Sequence, residues 1–92
     1  MIARPASITN SLGMHARAAA RFVHAASTFQ SRITVTRQGR TVDGKSILGI
    51  LLLAAARGCE ITICADGSDE VEALASLCRL IESGFGEGAC NT

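Results

Sequence analysis

Aromatic residues are scarce in this sequence, whose 92 residues include three phenylalanines, no tyrosine and no tryptophan. A hydrophobic core must therefore be mainly aliphatic, and few rings are present on which nucleic-acid bases could stack. Hydrophobic residues nonetheless make up 48% of the chain and charged residues only 18%, a composition typical of a globular domain. The length allows one domain and excludes a two-lobed enzyme or a repeat array.

An apolar run long enough to cross a membrane is also missing. The longest mostly apolar stretch, from residue 47 to 56, is shorter than the roughly 18 residues that a spanning helix needs. Polar residues interrupt the first fifteen positions, where a signal peptide would need a continuous apolar segment. We therefore expect a cytoplasmic protein without membrane insertion.

The cysteines lack the spacings that are typical of metal sites. There is no CxxC pair, and neither histidine stands at a zinc-finger distance from a cysteine. Because no secretory signal is expected, these residues are predicted to be reduced thiols, with no disulfide framework and no metal site. The four are Cys59, Cys64, Cys78 and Cys90.

Acidic residues are absent from the first 42 positions, which carry six arginines. The remainder of the chain carries eight acidic residues against three basic ones, so the net charge of +1 conceals a strong division. Such a division predicts a positive surface on part of the protein. Since few aromatic rings accompany the arginines, phosphorylated groups or acidic protein surfaces are better partners than nucleic acid.

Apolar periodicity and turn residues predict the element order β-α-β-β-α-β-α. The strands alternate polar and apolar residues, which favours an antiparallel sheet with helices on one face and solvent on the other. The glycine-rich segment from residue 84 to 92 is expected to be frayed. The predicted strands cover residues 2–8, 32–36, 40–42 and 60–65, and the predicted helices cover 16–26, 47–56 and 69–83. The buried side of the last helix is expected to consist of Val71, Leu74, Leu77 or Cys78, and Ile81.

Residues 39–46 match the nucleotide-binding pattern G-x-x-x-x-G-K-[ST] literally. A P-loop belongs to a parallel sheet covered on both faces, which 92 residues are too few to build. The β-branched Thr41 and Val42 also favour the return strand of a hairpin over a loop around phosphates. Nucleotide binding that depends on Lys45 is therefore a minor alternative.

A second motif, Leu12-Gly13-Met14-His15-Ala16-Arg17, stands at the start of the first predicted helix. A helix N-terminus attracts anions through its unpaired N–H groups and its partial positive charge. Arg17 and Arg21 lie in the first turns without any acid, which is unfavourable for an isolated helix but suits a bound anion. His15 could attack phosphorus, and the phosphoryl group would then lie beside Arg17. A plain capping histidine next to surface arginines is the alternative.

Three blocks in this order and spacing resemble the HPr family, the histidine-containing phosphocarriers of the phosphoenolpyruvate-dependent phosphotransferase system, and its nitrogen-related NPr branch. The blocks are ITNSLGMHAR (residues 8–17), GKSILG (44–49) and GCEITI (58–63), within a match from about residue 2 to 86. The resemblance implies an α+β open-faced β-sandwich. Its four-stranded antiparallel sheet would have the order 1-4-2-3, with three helices on one face. The domain would occupy residues 1–86, followed by a flexible tail at 87–92.

The resemblance also implies a phosphocarrier that is not an enzyme. Enzyme I would phosphorylate His15 on Nδ1, Arg17 would hold the phosphoryl oxygens, and a IIA-type domain would accept the group. No cofactor is expected on this chain, because phosphoenolpyruvate and magnesium act at Enzyme I. The carrier is expected to be a monomer. The family usually has proline where this chain has Ala18, a change that should slightly loosen the helix start.

Ser46 matches the position that HPr kinase/phosphorylase modifies in some family members, whereas its local sequence alone predicts a helix cap. An NPr-like phosphorelay protein, or a regulatory binding module that signals through Ser46, remains an alternative function. The apolar residues that follow would surround a short helix, so some of them should be exposed as a partner site. The expected docking residues are Ile47, Leu48 and Leu51, with Ala16 and Ala20 across a groove.

Overall fold

The computed structural model describes residues 1–86. The strands are β1 (Ile2–Ser7), β2 (Arg32–Arg37), β3 (Arg40–Asp43) and β4 (Glu60–Asp66), and the helices are α1 (Ala16–Ser27), α2 (Ile47–Leu52) and α3 (Glu70–Glu82). A short 3₁₀ turn, Gly84–Gly86, follows α3. The predicted tail at 87–92 lies outside the described residues, so the proposed division of the chain stays a prediction.

The four strands form one antiparallel sheet with the order β1-β4-β2-β3. This order confirms the predicted open-faced sandwich. Ile33 and Val35 of β2 lie beside Ala65 and Ile63 of β4 and are buried under the helices. The alternate residues of β2 lie on the other face, where Thr34 and Thr36 are half-buried and Arg32 is exposed. The sheet therefore has one face covered by helices and one open face, as the two-residue alternation predicts.

The predicted end of α2 is wrong by four residues. The helix ends at Leu52, with Leu53 as its C-cap, and Ala54 then adopts a left-handed conformation with φ of 51°. A helix cannot continue through such a residue, because its backbone turns away from the helical path. Alanine gives no sequence signal for this conformation, which glycine usually adopts. The segment after α2 therefore leaves the helical path and contacts the loop that precedes α1.

The predicted buried side of α3 is correct at four positions and wrong at Val71, which is 68% exposed. The buried stripe is centred on Ala73, Leu77 and Ile81. At 100° per residue, Val71 lies about a third of a turn from Leu77, the middle of that stripe. An apolar side chain on the flank of an amphipathic helix is common and requires no partner.

The glycine content suggested that residues 84–86 would be frayed, but this expectation is wrong. They form the 3₁₀ turn, and the Phe85 side chain is completely buried in the core. The guanidinium of Arg21 on α1 donates a hydrogen bond to the Phe85 backbone carbonyl. A large buried ring and a bond over 64 residues of sequence hold this turn in place.

The Asp69 carboxylate, next to the start of α3, links that helix to the segment before β2. It accepts hydrogen bonds from the Ser31 hydroxyl at 2.5 Å, the Ser31 N–H at 2.9 Å and the Gln30 N–H at 2.8 Å. The Ser31 hydroxyl bond, followed by the Gln30 N–H bond, holds the pKa of Asp69 below its ordinary value of 3.8. These bonds explain why the Ser31 side chain can be fully buried.

We expect Asp69→Asn to lower the melting temperature at pH 7, because an amide cannot accept all three bonds. The native pKa of Asp69 is depressed, so its stabilising contribution is complete above pH 3.8 and is lost as the pH falls through the lower, native value. The difference in melting temperature between the two proteins should therefore narrow below pH 3.8. Thermal melts between pH 7 and about pH 2.5 test this expectation, and a constant difference would contradict it.

Candidate functional site

His15 is the N-cap of α1, as the sequence predicts. Its backbone is extended, with φ of −82° and ψ of −178°, and its carbonyl accepts the N–H of Ala19 at 2.8 Å. Its half-buried ring accepts the Arg17 N–H at Nδ1 over 3.2 Å. An imidazole nitrogen accepts only through its lone pair, so this geometry assigns the lone pair to Nδ1 and the ring proton to Nε2. The Nδ1 lone pair thus lies at the start of the helix.

The loop before His15 is held against the segment that follows α2. Met14 donates its N–H to the Ala55 carbonyl at 2.8 Å. Gly13 has a φ of +65°, and a Cβ on it would lie 2.8 Å from the Ala55 carbonyl oxygen and 2.9 Å from the Ala56 Cα. A side chain at residue 13 would therefore clash with backbone that cannot easily move. Glycine is required here both for its conformation and for the close approach.

Arg17 and Arg21 have different surroundings, although the sequence suggested that both side chains would contact a bound anion. The Arg21 guanidinium is used within the fold, since it donates to the Phe85 carbonyl. Arg17 stands one turn closer to His15 and is exposed. Both line a shallow groove of about 570 Å³ between α1 and the end of α3. The groove is also lined by Ala20, His24, Ala25, Leu80 and Phe85.

The exposed part of α2 forms an apolar surface, which we call the α2 patch and which consists of Ile47, Leu48, Leu51 and Leu52. Leu48 is 73% exposed, Leu52 63% and Ile47 44%, whereas Leu51 is half-buried. Ile50 and Leu53 point into the core instead. Sequence reasoning missed Leu52, although it lies one turn after Leu48 and so shares its side of the helix.

The α2 patch and the start of α1 belong to adjoining elements, because α1 packs against α2. Ala16 and Ala20, predicted to lie across a groove from α2, are both exposed on α1. Leu12, in the loop before His15, adds a further apolar side chain that is 70% exposed. Apolar surface is therefore exposed on the His15 loop, on α1 and on α2.

Ser46 is the N-cap of α2, in agreement with its local sequence. Its Oγ accepts the Gly49 N–H at 3.1 Å, and its carbonyl accepts the Ile50 N–H at 3.0 Å. The side chain is half-buried and directly precedes the α2 patch. A charge added to this hydroxyl would stand at the edge of that apolar surface.

The nucleotide-binding pattern at residues 39–46 has other structural explanations. Residues 40–43 are β3 and pair with β2, so they do not form a loop around phosphates. A Cβ on Gly44 would lie 2.5 Å from Cγ2 of Ile33, which accounts for the glycine by packing. The Lys45 ammonium donates to the Phe29 carbonyl at 2.8 Å. Gly44 and Lys45 are therefore explained by packing and hydrogen bonding within the fold.

Within residues 1–86, no group of three or more histidine, cysteine or acidic side chains is arranged to hold a metal ion. Over the same residues, no helix combines the length and the apolar character that a membrane crossing requires. Among the described residues, Cys59, Cys64 and Cys78 are free thiols, and Cys90 lies outside that range.

Comparison with known proteins identifies the family. The family described as "PTS HPr component phosphorylation site" matches residues 2–83. The phosphocarrier protein HPr of Cupriavidus necator is 47% identical over 88 residues, which are 96% of this chain and 99% of that protein.

Solved structures agree with the sequence match. The crystal structure of HPr-C-His from Thermoanaerobacter tengcongensis superimposes with a TM-score of 0.92 at 45% identity, over 95% of this chain and 98% of that one. An HPr dimer from the same organism gives 0.76 at 47% identity, over 88% and 93% of the two chains. This chain therefore belongs to the HPr family, whose members are phosphocarriers of the phosphotransferase system and not enzymes.

Proposed function

We propose that this protein accepts a phosphoryl group from phosphorylated Enzyme I on Nδ1 of His15 and passes it to a IIA-type domain. The observation that carries the proposal is the lone pair of Nδ1 at the N-terminus of α1, where it accepts the Arg17 N–H at 3.2 Å. The family of the chain supports the same chemistry.

The transfer exchanges one partner of Nδ1 for another. The lone pair forms a bond to phosphorus while the bond from phosphorus to the donor protein breaks, so Nδ1 releases the Arg17 N–H. That N–H can then donate to a phosphoryl oxygen, together with the Arg17 guanidinium. The first turn of α1 contains no acidic residue, and its partial positive charge favours the new dianion.

Docking of both partners is proposed to use the α2 patch together with Ala16 and Ala20. Desolvation of an exposed apolar surface favours association, and the surrounding arginines select partners with acidic surfaces. Enzyme I and the IIA-type domain would bind this surface in turn, because each must reach His15. Nucleic acid is not a proposed partner.

The direct test is intact-mass analysis after incubation with phosphoenolpyruvate, magnesium and Enzyme I. We expect one phosphoryl group that is labile in acid and stable in alkali, as a phosphorus–nitrogen bond to histidine should be. Addition of a IIA-type domain should then remove it. Absence of an adduct, when the same Enzyme I phosphorylates a control carrier, would contradict the proposal.

We propose that the carrier acts in the cytoplasm as a monomer without a bound cofactor. Phosphoenolpyruvate and magnesium would be consumed at Enzyme I and not on this chain. Light scattering after size-exclusion chromatography should give a mass near 9.5 kDa. A stable dimer in solution would contradict the monomer.

A regulatory role for Ser46 follows from its place at the edge of the α2 patch. Phosphorylation by an HPr kinase/phosphorylase would add about two negative charges beside a surface that receives acidic partners. The phosphate would be tolerated by the fold, since it would lie at the N-terminus of α2. The modification is therefore proposed to weaken docking and not folding.

We expect Ser46→Asp to raise the KM for transfer from Enzyme I by about tenfold or more, because a like charge in an interface costs several kcal/mol. The aspartate still caps α2, so the free energy of unfolding should stay within about 0.5 kcal/mol of wild type. Ser46→Ala is the matched control: it should lose about 1 kcal/mol of stability while its KM is unchanged. Steady-state kinetics and urea denaturation measure the two effects, and an equal KM in both variants would contradict a charge effect.

A further inference from the structure

Asn10 is one of the two buried polar residues among residues 1–86, and its side chain is 5% exposed. Burial of a carboxamide is unfavourable unless it forms hydrogen bonds. The other buried polar residue, Ser31, is explained by its bond to Asp69 far from His15. Asn10 lies in the loop between β1 and α1, so its burial calls for an explanation at the site itself.

The Asn10 carboxamide fixes a carbonyl that also holds His15. Its Nδ2 donates to the Gly13 carbonyl oxygen at 2.8 Å. The same oxygen accepts the backbone N–H of His15 at 2.9 Å. In return, the Gly13 N–H donates to the Asn10 carbonyl at 3.1 Å, which closes a turn over residues 10–13. Two donors therefore set the direction of the Gly13 carbonyl, and one of them belongs to His15.

The orientation of the His15 backbone decides where its ring lies. The ring reaches the Arg17 N–H over 3.2 Å, a long bond that a small rotation of the backbone would break. On the other side, Asn10 lies close to the turn after α3, because a Cβ added to Gly84 would stand 3.6 Å from the Asn10 Cβ. Asn10 thus lies between the His15 loop and that turn.

We propose that Asn10 is a positioning residue for phosphoryl transfer, acting through the Gly13 carbonyl on the backbone of His15. The proposal rests on the proposed function, because it concerns the same nucleophile. Asn10 itself does not touch the phosphoryl group. A displacement of about 1 Å in a reacting group can cost roughly 100-fold in rate, so loss of this one bond should be measurable.

The test compares Asn10→Ala with Ser31→Ala. Each variant loses a side-chain hydrogen bond made by a buried residue, but Ser31 lies beyond the far end of α1, a helix of 12 residues and about 18 Å. We expect kcat/KM for phosphoryl uptake to fall by roughly 10- to 100-fold in Asn10→Ala. It should stay within about twofold of wild type in Ser31→Ala. Asn10→Asp, which keeps the shape but replaces the donor with an acceptor, should behave like Asn10→Ala and serves if that variant does not fold.

A second readout needs no partner protein. In wild type, the ¹⁵N shifts of the His15 ring should show the proton on Nε2, and the Arg17 amide should be protected from exchange. In Asn10→Ala, the ring nitrogens should move toward a mixture of tautomers, and the Arg17 amide should exchange about tenfold faster or more. Ser31→Ala should leave both signals unchanged.

Each result is informative about Asn10. Wild-type uptake together with unchanged ring nitrogens in both Asn10 variants would overturn the proposal and leave Asn10 as a structural residue. If wild type itself accepts no phosphoryl group, the proposed function fails. The NMR comparison then still decides whether Asn10 orients His15. A loss of uptake in Ser31→Ala equal to that in Asn10→Ala would also overturn it, because general destabilisation would explain both.

Discussion

His15→Ala is expected to abolish phosphoryl uptake, with a fall of roughly four orders of magnitude or more in rate. The substitution removes the nitrogen that is proposed to form the bond to phosphorus, and loss of a nucleophile has effects on this scale. His24→Ala is the matched control, because His24 is the other histidine and lies exposed on the same helix. We expect His24→Ala to be phosphorylated at nearly the wild-type rate.

Intact-mass spectrometry over time, with Enzyme I and phosphoenolpyruvate, measures both variants in one experiment. The N-cap bond from Arg17 is also lost in His15→Ala, so a helix less stable by about 1 kcal/mol is expected and should be checked by denaturation. An acid-labile adduct that persists in His15→Ala would refute the assignment of the nucleophile.

Two alternative functions give different results in the same experiment. A binding module that signals through Ser46 would retain its partners in His15→Ala and would form no adduct in wild type. An NPr-like relay protein would be phosphorylated on His15, so the uptake step alone does not separate it from a sugar-branch carrier. The identity of the acceptor separates the two branches. Transfer to a nitrogen-related IIA domain and not to a sugar-specific one would indicate the NPr branch.

The sheet could be predicted from the sequence because its signal is local. Ile33 and Val35 on β2, and Ile61 and Ile63 on β4, alternate with polar residues, and the period of two assigns each side chain to one face. The order 1-4-2-3 came from the family resemblance, since residue patterns do not specify which strands become neighbours. The structure confirms both.

The candidate site was only partly predictable, since some of its contacts join distant parts of the chain. The capping position of His15 could be predicted from its neighbours. The use of Arg21 could not, because its partner, the Phe85 carbonyl, lies 64 residues away. Likewise, the left-handed conformation of Ala54 ends α2 earlier than predicted, and no glycine at this position indicates the end in the sequence. The proposed role of Asn10 rests on the burial of its side chain, which the sequence does not show.

Phe85→Ala is expected to lower the free energy of unfolding by about 3–5 kcal/mol, the cost of removing a fully buried ring and leaving a cavity. A domain of this size has a free energy of unfolding of roughly 5–14 kcal/mol, so the variant should melt more than about 10 °C lower. It should be unfolded at 37 °C only if the stability of wild type is at the low end of that range. Urea denaturation followed by circular dichroism measures the change. The left-handed φ of 59° is retained by alanine at no lower cost, so the lost packing dominates the difference.

The control for this prediction is Val71→Ala, because the structure reverses the burial that the sequence suggested for residues 71 and 85. Val71 was expected in the core and residue 85 in a frayed segment, whereas the structure exposes the first and buries the second. Val71→Ala should therefore change stability by less than about 0.5 kcal/mol, because an exposed valine loses little packing. If Phe85→Ala proved as mild as Val71→Ala, the Phe85 ring would not be packed in the core. The Arg21 guanidinium holds the same turn, because it donates to the Phe85 backbone carbonyl. The stability of this turn is thus tied to the groove between α1 and the end of α3, which Arg21 and Phe85 both line.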